Sequence, residues 1–149
     1  MTPAVFISYA SADLEAAERL RDALGAAGIR VWFDKERLEG GELFEKNIRS
    51  GIERCALFVP VLSNQTEQRA EGFFRREWRW ADNRRQGIDD TIPFIVPVVI
   101  DDTDPYTALA PDSFKAMQWM RATAGQVDDT HVGRIRSLVR EHVKRRLAH

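Results

Sequence analysis

The sequence has one cysteine, no long hydrophobic run and almost no net charge, and each scarcity excludes a class of protein. Cys55 cannot form an intramolecular disulfide, and because it begins an apolar run we interpret it as a core residue rather than a nucleophile. The apolar run Phe94–Ile100 is far shorter than the roughly 20 residues of a membrane-spanning helix. Lys plus Arg number 22 and Asp plus Glu 23, so a formal charge of -1 gives no general attraction for nucleic acid or an anionic membrane. We expect neither as a partner, and since no signal-peptide pattern begins the chain we expect a cytoplasmic location.

Several motifs that hold phosphates or activate nucleophiles are also missing. No G-x-G-x-x-G follows the first predicted strand, and neither G-x-x-x-x-G-K-[ST] nor G-x-S-x-G occurs. A Rossmann dehydrogenase, a P-loop NTPase and an α/β-hydrolase are therefore disfavoured. The histidines His131, His142 and His149 have no cysteine or carboxylate cluster at metal-ligand spacing, so we predict no metal site and no cofactor.

Apolar segments of strand length alternate with segments of helical periodicity along the whole chain. The alternation predicts an α/β flavodoxin-like fold, a three-layer sandwich with a five-stranded, mostly parallel sheet of order 2-1-3-4-5 and helices on both faces. The predicted strands are Val5–Tyr9, Ile29–Phe33, Cys55–Leu62, Ile92–Ile100 and, most weakly, Phe114–Met120. The predicted helices run from an N-cap at Ser11 to Gly28, through Phe44, Ile48 and Ile52, over about Glu67–Gln86, and over Thr130–Leu147.

Two local features qualify this scheme. Pro60 removes one hydrogen-bond donor from the third strand, so we expect a short neighbouring strand there or a local irregularity. The basic ending Lys144–Arg146 suits the negative end of a helix dipole, and we interpret it as capping rather than nucleic-acid contact. We predict one domain over residues 1–149, and because the chain stops inside its last helix, a domain taken from a longer protein would also look like this.

Glu77 is the residue that the spacing singles out. On a helix its neighbours three and four positions away are aromatic residues and Ala81, none of them basic. Four other glutamates each have an arginine four residues later, namely Glu15, Glu45, Glu71 and Glu141. A carboxylate among aromatic rings without an ion-pair partner on its own helix is a functional candidate. The alternative is a glutamate at a helix edge whose head reaches water or a distant arginine.

A ligand of a flavodoxin-like sheet binds outside the carboxyl ends of the first and third strands. Those ends carry Ser8–Ser11 and Leu62–Asn64. The first stretch opens a helix, so its backbone N–H groups and hydroxyls could hold a phosphate. Equally, Ser11 could simply cap the helix while Tyr9 packs.

These residues resemble the TIR (Toll/interleukin-1 receptor) domain family, specifically its bacterial NAD-cleaving branch. Val5–Tyr9 is similar to the family's first-strand box, and Gly28–Asp34 followed by Leu38 and Gly40-Gly41 is similar to its second strand and BB loop. The resemblance continues through Val61–Ser63 and Ile95–Val98 and covers essentially the whole chain.

The resemblance implies a role for each matching position. Glu77 matches the catalytic glutamate, with Phe73 where relatives usually have a tryptophan. The substrate pocket for NAD+ would be lined by Phe6, Ser8, Tyr9, Ser11, Asp34, Glu36, Ser63 and Phe73. Self-association through the BB loop would use Lys35, Arg37, Leu38, Gly40 and Gly41.

The implied activity is cleavage of NAD+ to nicotinamide and ADP-ribose or a cyclic isomer, switched on when TIR domains assemble. The resemblance places it in bacterial defence against phage. A second reading of the same family is a non-catalytic adaptor that acts only by binding other TIR domains. A phosphorylation receiver is a weaker third option, because receivers use clustered acids at the end of the first strand and Ser8-Tyr9 provides none.

Overall fold

The computed structural model describes residues 5–33 and 42–148, apart from the side chains of residues 42–44. Its centre is a five-stranded sheet in the order β2-β1-β3-β4-β5, with every neighbouring pair parallel. This confirms the predicted order and the flavodoxin-like α/β class. The strands are β1 (Val5–Ser8), β2 (Val31–Trp32), β3 (Leu57–Leu62), β4 (Val98–Val99) and β5 (Met120–Arg121).

Helices connect consecutive strands and cover both faces of the sheet. They are α1 (Leu14–Ala26), α2 (Glu42–Arg54), α3 (Asn64–Gln68), α4 (Phe73–Gln86), α5 (Asp112–Ala116) and α6 (Asp129–Leu147). The chain leaves α1 through Gly28, whose φ of 82° places it in the left-handed region. Gly28 N–H donates to Gly25 O and Ile29 N–H to Leu24 O, which is the Schellman arrangement that ends a helix. The short α1-to-β2 connection predicted from the glycine is therefore present.

The two faces of the sheet have separate apolar layers, and β1 contributes alternately to each. Val5 and Ile7 pack with residues of α1 and α6, whereas Phe6 packs with residues of α2 and α4. We call these the α1/α6 layer and the α2/α4 layer. Because Ser8 shares the alternation of Phe6, its side chain points into the α2/α4 layer.

The predicted fourth strand is interrupted at its prolines. Phe58 bridges Ile95, and regular pairing resumes only at Val61 with Val98. Pro60 and Pro97 lie between these two contacts and neither has an N–H to donate. Of the two expectations for Pro60, the local irregularity is the one seen on the β4 side, and β1 also ends at the residue paired with it, Ser8.

Two predicted elements were wrong. The helix expected over Glu67–Gln86 is two helices, α3 and α4, separated by a break before Phe73. The strand expected over Phe114–Met120 starts inside helix α5, continues without regular structure over residues 117–119, and β5 begins only at Met120. Phe114 is buried with its ring centroid 5.5 Å from that of Trp78, so a tertiary contact of the α2/α4 layer prevails over the apolar pattern.

Candidate functional site

Glu77 lies on the buried side of α4 and is 0% exposed. The buried positions of this helix are Phe74, Glu77, Trp78 and Ala81, which is one face at helical spacing. Glu77 therefore occupies a place in the apolar stripe that a core residue would normally fill. One form of the alternative, a head that reaches water, is therefore wrong, and the other form, a distant arginine partner, stays a prediction.

Glu77 does have a partner, and it comes from the sheet rather than from its own helix. The Ser8 hydroxyl donates a hydrogen bond of 2.7 Å to Glu77 Oε1, and both residues are 0% exposed. Ser8 is the last residue of β1, so the carboxylate lies at the carboxyl end of that strand. Ligands of doubly wound sheets bind at this edge.

Aromatic rings form the surroundings of this pair. The ring centroid of Trp78 is 5.0 Å from that of Phe74 within α4. Phe6 stacks between Phe58 at 5.6 Å and Trp32 at 6.0 Å. Within the part of the chain that the structure describes, the buried indole N–H of Trp32 has no hydrogen-bond partner. Sequence reasoning did not select Trp32, which read only as a strand residue.

The predicted pocket residues divide between the two layers. Phe6 and Ser8 share the α2/α4 layer with Glu77, and the half-buried Phe73 packs there edge-on against Trp80 at 5.9 Å. Tyr9 points the other way into the α1/α6 layer, where its ring stacks on Phe33 at 5.2 Å. The structure thus brings three of these side chains to the side of Glu77 and directs Tyr9 away from it.

A second polar pair links the residue before α1 to the residue after β3. The hydroxyl of Ser63 donates to Asp13 Oδ2 at 2.5 Å, and both residues are buried. Ser63 also caps α3, accepting from the Thr66 N–H while the Thr66 hydroxyl accepts from the Ser63 N–H. Burial raises the pKa of the Asp13 carboxyl, the Ser63 hydrogen bond opposes the rise, and the charge of Asp101 adds to it. Sequence reasoning missed Asp13, because an aspartate at the start of a helix is ordinarily explained by the dipole.

Ser11 does not have the predicted capping role. It begins a short 3₁₀ turn, Ser11–Asp13, and α1 starts only at Leu14 without a side-chain cap. The hydroxyl of Ser11 instead accepts a hydrogen bond of 3.1 Å from Arg69. Ser11 lies near the carboxyl end of β1, where a ligand-binding residue is expected. A role for Ser11 in substrate binding stays a prediction.

Two of the four glutamates that have an arginine four residues later pair with a different basic residue. Glu45 pairs with Arg76 of α4 in a tertiary contact, and Glu141 pairs with Lys144, three residues later in α6, at 3.7 Å. Arg19 donates to the Ala124 carbonyl, and Arg75 donates to the Arg69, Thr66 and Leu109 carbonyls. Local spacing therefore did not determine which acids on this surface are paired.

Several predictions concern residues outside the described part of the chain. These are Asp34 and Glu36 of the proposed pocket and the self-association residues Lys35, Arg37, Leu38, Gly40 and Gly41.

Cys55 is buried, as predicted, and its environment is unreactive. Burial raises the pKa of its thiol to about 12, against the opposing charge of Arg84. In residues 5–33 and 42–148 no group of three or more His, Cys, Asp or Glu side chains is arranged to hold a metal ion. No helix in those ranges is long and apolar enough to cross a membrane.

Comparison with known proteins places this geometry in a family. The family model described as "TIR domain" matches residues 5–138. Over 75 residues the chain is 33% identical to a protein of Theionarchaea archaeon (strain DG-70-1) named NAD(+) hydrolase TcpA. The aligned segment is 50% of this chain and 21% of the relative, so the chain spans only about a fifth of that protein's length.

Solved structures show the same fold at low identity. The TIR domains of the activated Roq1 resistosome, which recognises the pathogen effector XopQ, align with a TM-score of 0.58 at 21% identity, over 96% of this chain and 84% of that one. The TIR domain of the Toll-related receptor TRR-2 from Hydra magnipapillata aligns with a TM-score of 0.53 at 21% identity, over 93% and 96%. Since the family model spans nearly the whole chain and the sheet order agrees, this chain belongs to the TIR domain family.

Proposed function

We propose that this chain cleaves the bond between nicotinamide and ribose in NAD+, with Glu77 as the catalytic carboxylate. The observation that carries the proposal is the position of Glu77, fully buried in an aromatic layer and hydrogen-bonded by Ser8 at the carboxyl end of β1. A carboxylate buried in an apolar stripe costs stability, which is typical of a group retained for function. The relative named NAD(+) hydrolase supports the choice of substrate.

The chemistry requires one negative group beside the ribose. When the C1′–N bond breaks, its electron pair leaves with nicotinamide, and the ribose acquires oxocarbenium character as in glycoside hydrolysis. A fixed carboxylate in a site of low dielectric stabilises that positive charge. Because nicotinamide leaves as a neutral molecule, no general acid is needed. Water then adds to C1′ and loses a proton to give ADP-ribose, or the substrate's own adenine or ribose attacks C1′ to give a cyclic isomer.

The burial of Glu77 has a consequence for regulation within this proposal. A residue with 0% exposure cannot touch a ribose until its cover moves. Self-assembly of TIR domains would supply the energy for that rearrangement, with residues 35–41 as the proposed contact segment. The isolated domain is then nearly silent, and assembly in the cytoplasm during defence against phage is the setting that the family resemblance suggests.

The second candidate is a TIR adaptor that binds other TIR domains without catalysis. The same burial favours it, because a carboxylate held by Ser8 inside the core also serves to fix α4 against β1. The two candidates agree on fold and self-association and differ only in turnover.

The test is NAD+ consumption with product analysis by HPLC, on concentrated protein and on protein with assembly forced by a crowding agent. The variant is Glu77→Gln, which keeps size and one acceptor while removing charge. Glu141→Gln on the exposed side of α6 is the matched control. We expect the wild type and the control to consume NAD+ under assembly and the Glu77→Gln variant to be inactive.

The outcomes separate the two candidates. Equal turnover in the Glu77→Gln variant would remove Glu77 from the reaction. No turnover in any folded, assembled sample would favour the adaptor. The ratio of ADP-ribose to cyclic product in the active sample decides between hydrolysis and cyclisation.

A further inference from the structure

A cavity of about 450 Å³ lies at the opposite edge of the sheet from Glu77. Its lining includes Ala56, which directly precedes β3, and Phe94, which precedes β4 in the same direction. Since the strands are parallel, this is the amino edge, whereas Glu77 is at the carboxyl end of β1. A volume of this size is within the range of small-molecule sites, about 300–1,000 Å³.

The cavity combines an apolar wall with concentrated positive charge. Ile88 and Phe94 contribute to the wall, and the cations are Arg84 near the end of α4 and Arg145 and Arg146 near the end of α6. None of the described residues that line it is acidic. The nearby acid of α6, Glu141, already pairs with Lys144.

Capping of helix ends does not account for this amount of charge. The carboxyl ends of α2, α4 and α6 together provide about one and a half negative elementary charges, roughly one half each, and Arg84 donates to carbonyls at the end of α2. Three guanidinium groups still exceed that by about one and a half positive charges. At the end of α4 the carbonyls of Arg84 and Arg85 are already satisfied by the N–H groups of Gly87 and Ile88. Among the described residues, the ion pairs within 4.0 Å do not include Arg84, Arg145 or Arg146.

Arg84 is built into the wall of the cavity. Its Nη1 donates to the carbonyls of Ile52 and Cys55, both at 2.7 Å, and its guanidinium lies 4.3 Å from the centroid of the Phe94 ring. These contacts fix the orientation of its planar group before any ligand arrives. A pre-oriented guanidinium is the arrangement that favours a phosphate with two parallel hydrogen bonds.

The pKa of His142 responds to the positive electrostatic potential inside the cavity. Burial lowers the pKa of its imidazole, and the positive charges of Arg84, Arg145 and Arg146 lower it further. A proton on His142 is disfavoured here, because it would be a fourth positive charge in the same place. An anion in the cavity would reverse the sign of that effect.

We propose that this cavity binds a small organic phosphate, an ester that places its phosphate among Arg84, Arg145 and Arg146 and an apolar group against the partly exposed Ile88 and Ile92. The guanidinium groups supply hydrogen bonds and charge, and the apolar wall distinguishes an ester from free phosphate. A cavity of about 450 Å³ holds a small molecule, so the proposed ligand is a small ester.

The experiment is a titration with phenyl phosphate, inorganic phosphate and phenol, followed by the side-chain NMR signals of His142. The three histidines are assigned with a His142→Gln variant. We expect saturable movement of the His142 signals with phenyl phosphate, weaker binding of inorganic phosphate and none of phenol. The pKa of His142 should rise on binding, since the bound anion stabilises the protonated ring.

Two double variants on the same helix locate the site. Arg145→Gln with Arg146→Gln removes charge from the cavity, and Arg136→Gln with Arg140→Gln removes the same charge from exposed positions outside it. We expect the first to weaken phenyl phosphate binding at least about tenfold, because hydrogen bonds to charged groups are among the stronger polar contacts. The second should leave affinity within about twofold, since exposed charges act weakly at a distance.

Three results would overturn the proposal: no saturable shift of His142, equal affinity in the two double variants, or binding that leaves His142 unmoved. The Glu77→Gln protein is titrated in parallel and should bind normally. The outcome is therefore independent of whether the chain cleaves NAD+.

Discussion

The hydrogen bond between Ser8 and Glu77 can be measured as a coupling free energy. The perturbations are Ser8→Ala, Glu77→Gln and the two together. The donor–acceptor distance is 2.7 Å and both residues are fully buried, so the contact is a short hydrogen bond to a carboxylate shielded from water.

Its magnitude follows from the charge of the acceptor. A hydrogen bond to a charged group contributes about 1.5–3 kcal/mol, and one between neutral groups about 0.5–1.5 kcal/mol. Ser8→Ala should therefore lower the free energy of unfolding by about 2 kcal/mol in the wild type and by about 1 kcal/mol in the Glu77→Gln background. The difference is a coupling free energy of about 1 kcal/mol between the two side chains. Glu77→Gln alone should be neutral or stabilising, because it removes a buried charge.

The assay is urea unfolding at neutral pH, followed by tryptophan fluorescence and circular dichroism. With a slope of about 2 kcal/mol per molar, Ser8→Ala should lower the wild-type midpoint by about 1 M. Costs of Ser8→Ala that agree within about 0.3 kcal/mol in the two backgrounds would show no coupling and refute the reasoning. A strongly destabilised Glu77→Gln protein would show that the carboxylate is structural.

Three further predictions concern stability and reactivity. Gly125 has a φ of +84° and an added Cβ would lie 2.1 Å from the Ala16 carbonyl oxygen, so Gly125→Ala should lower the free energy of unfolding by about 2–4 kcal/mol. Gly133 lies inside α6 with open space around it, so Gly133→Ala should raise the free energy of unfolding by about 0.5–1 kcal/mol. Urea unfolding measures both changes, and equal effects would contradict the geometry. The raised pKa of Asp13 means that the folded state binds its proton more tightly than the unfolded state, so stability is lost as the pH rises above about 3.8 through the folded pKa. The stability of Asp13→Asn relative to wild type should therefore increase over that range, and a flat difference would argue against it. Because burial raises the pKa of Cys55 to about 12, its thiol should not react with a disulfide reagent at pH 8 until urea unfolds the chain; rapid labelling of the native protein would count against this.

The sequence alone determined the class and order of the fold, for a physical reason that particular segments show. Strand β3 is apolar at every position because both its faces are covered, and α1 ends at a glycine that can adopt a positive φ. Such signals depend only on residues close together in the sequence, so they can be interpreted without the tertiary structure. Local periodicity also predicts the helix that carries Glu77, although over Glu67–Gln86 rather than the observed Phe73–Gln86.

Other features depended on contacts between residues far apart in the chain, and only the tertiary structure decided them. Phe114 lies in helix α5 rather than a strand because Trp78 provides a place for its ring. Glu77 accepts a hydrogen bond from Ser8 and Ser63 donates one to Asp13, at separations of 69 and 50 residues, and no helical spacing predicts these two contacts. The cationic cavity arises because α4 and α6 end at the same edge of the sheet. From the sequence, the basic end of α6 was interpreted as helix capping, whereas in the structure its arginines also line the cavity. Hydrogen bonds and charge clusters of this kind depend on how helices and strands pack together. Local sequence patterns do not specify that packing.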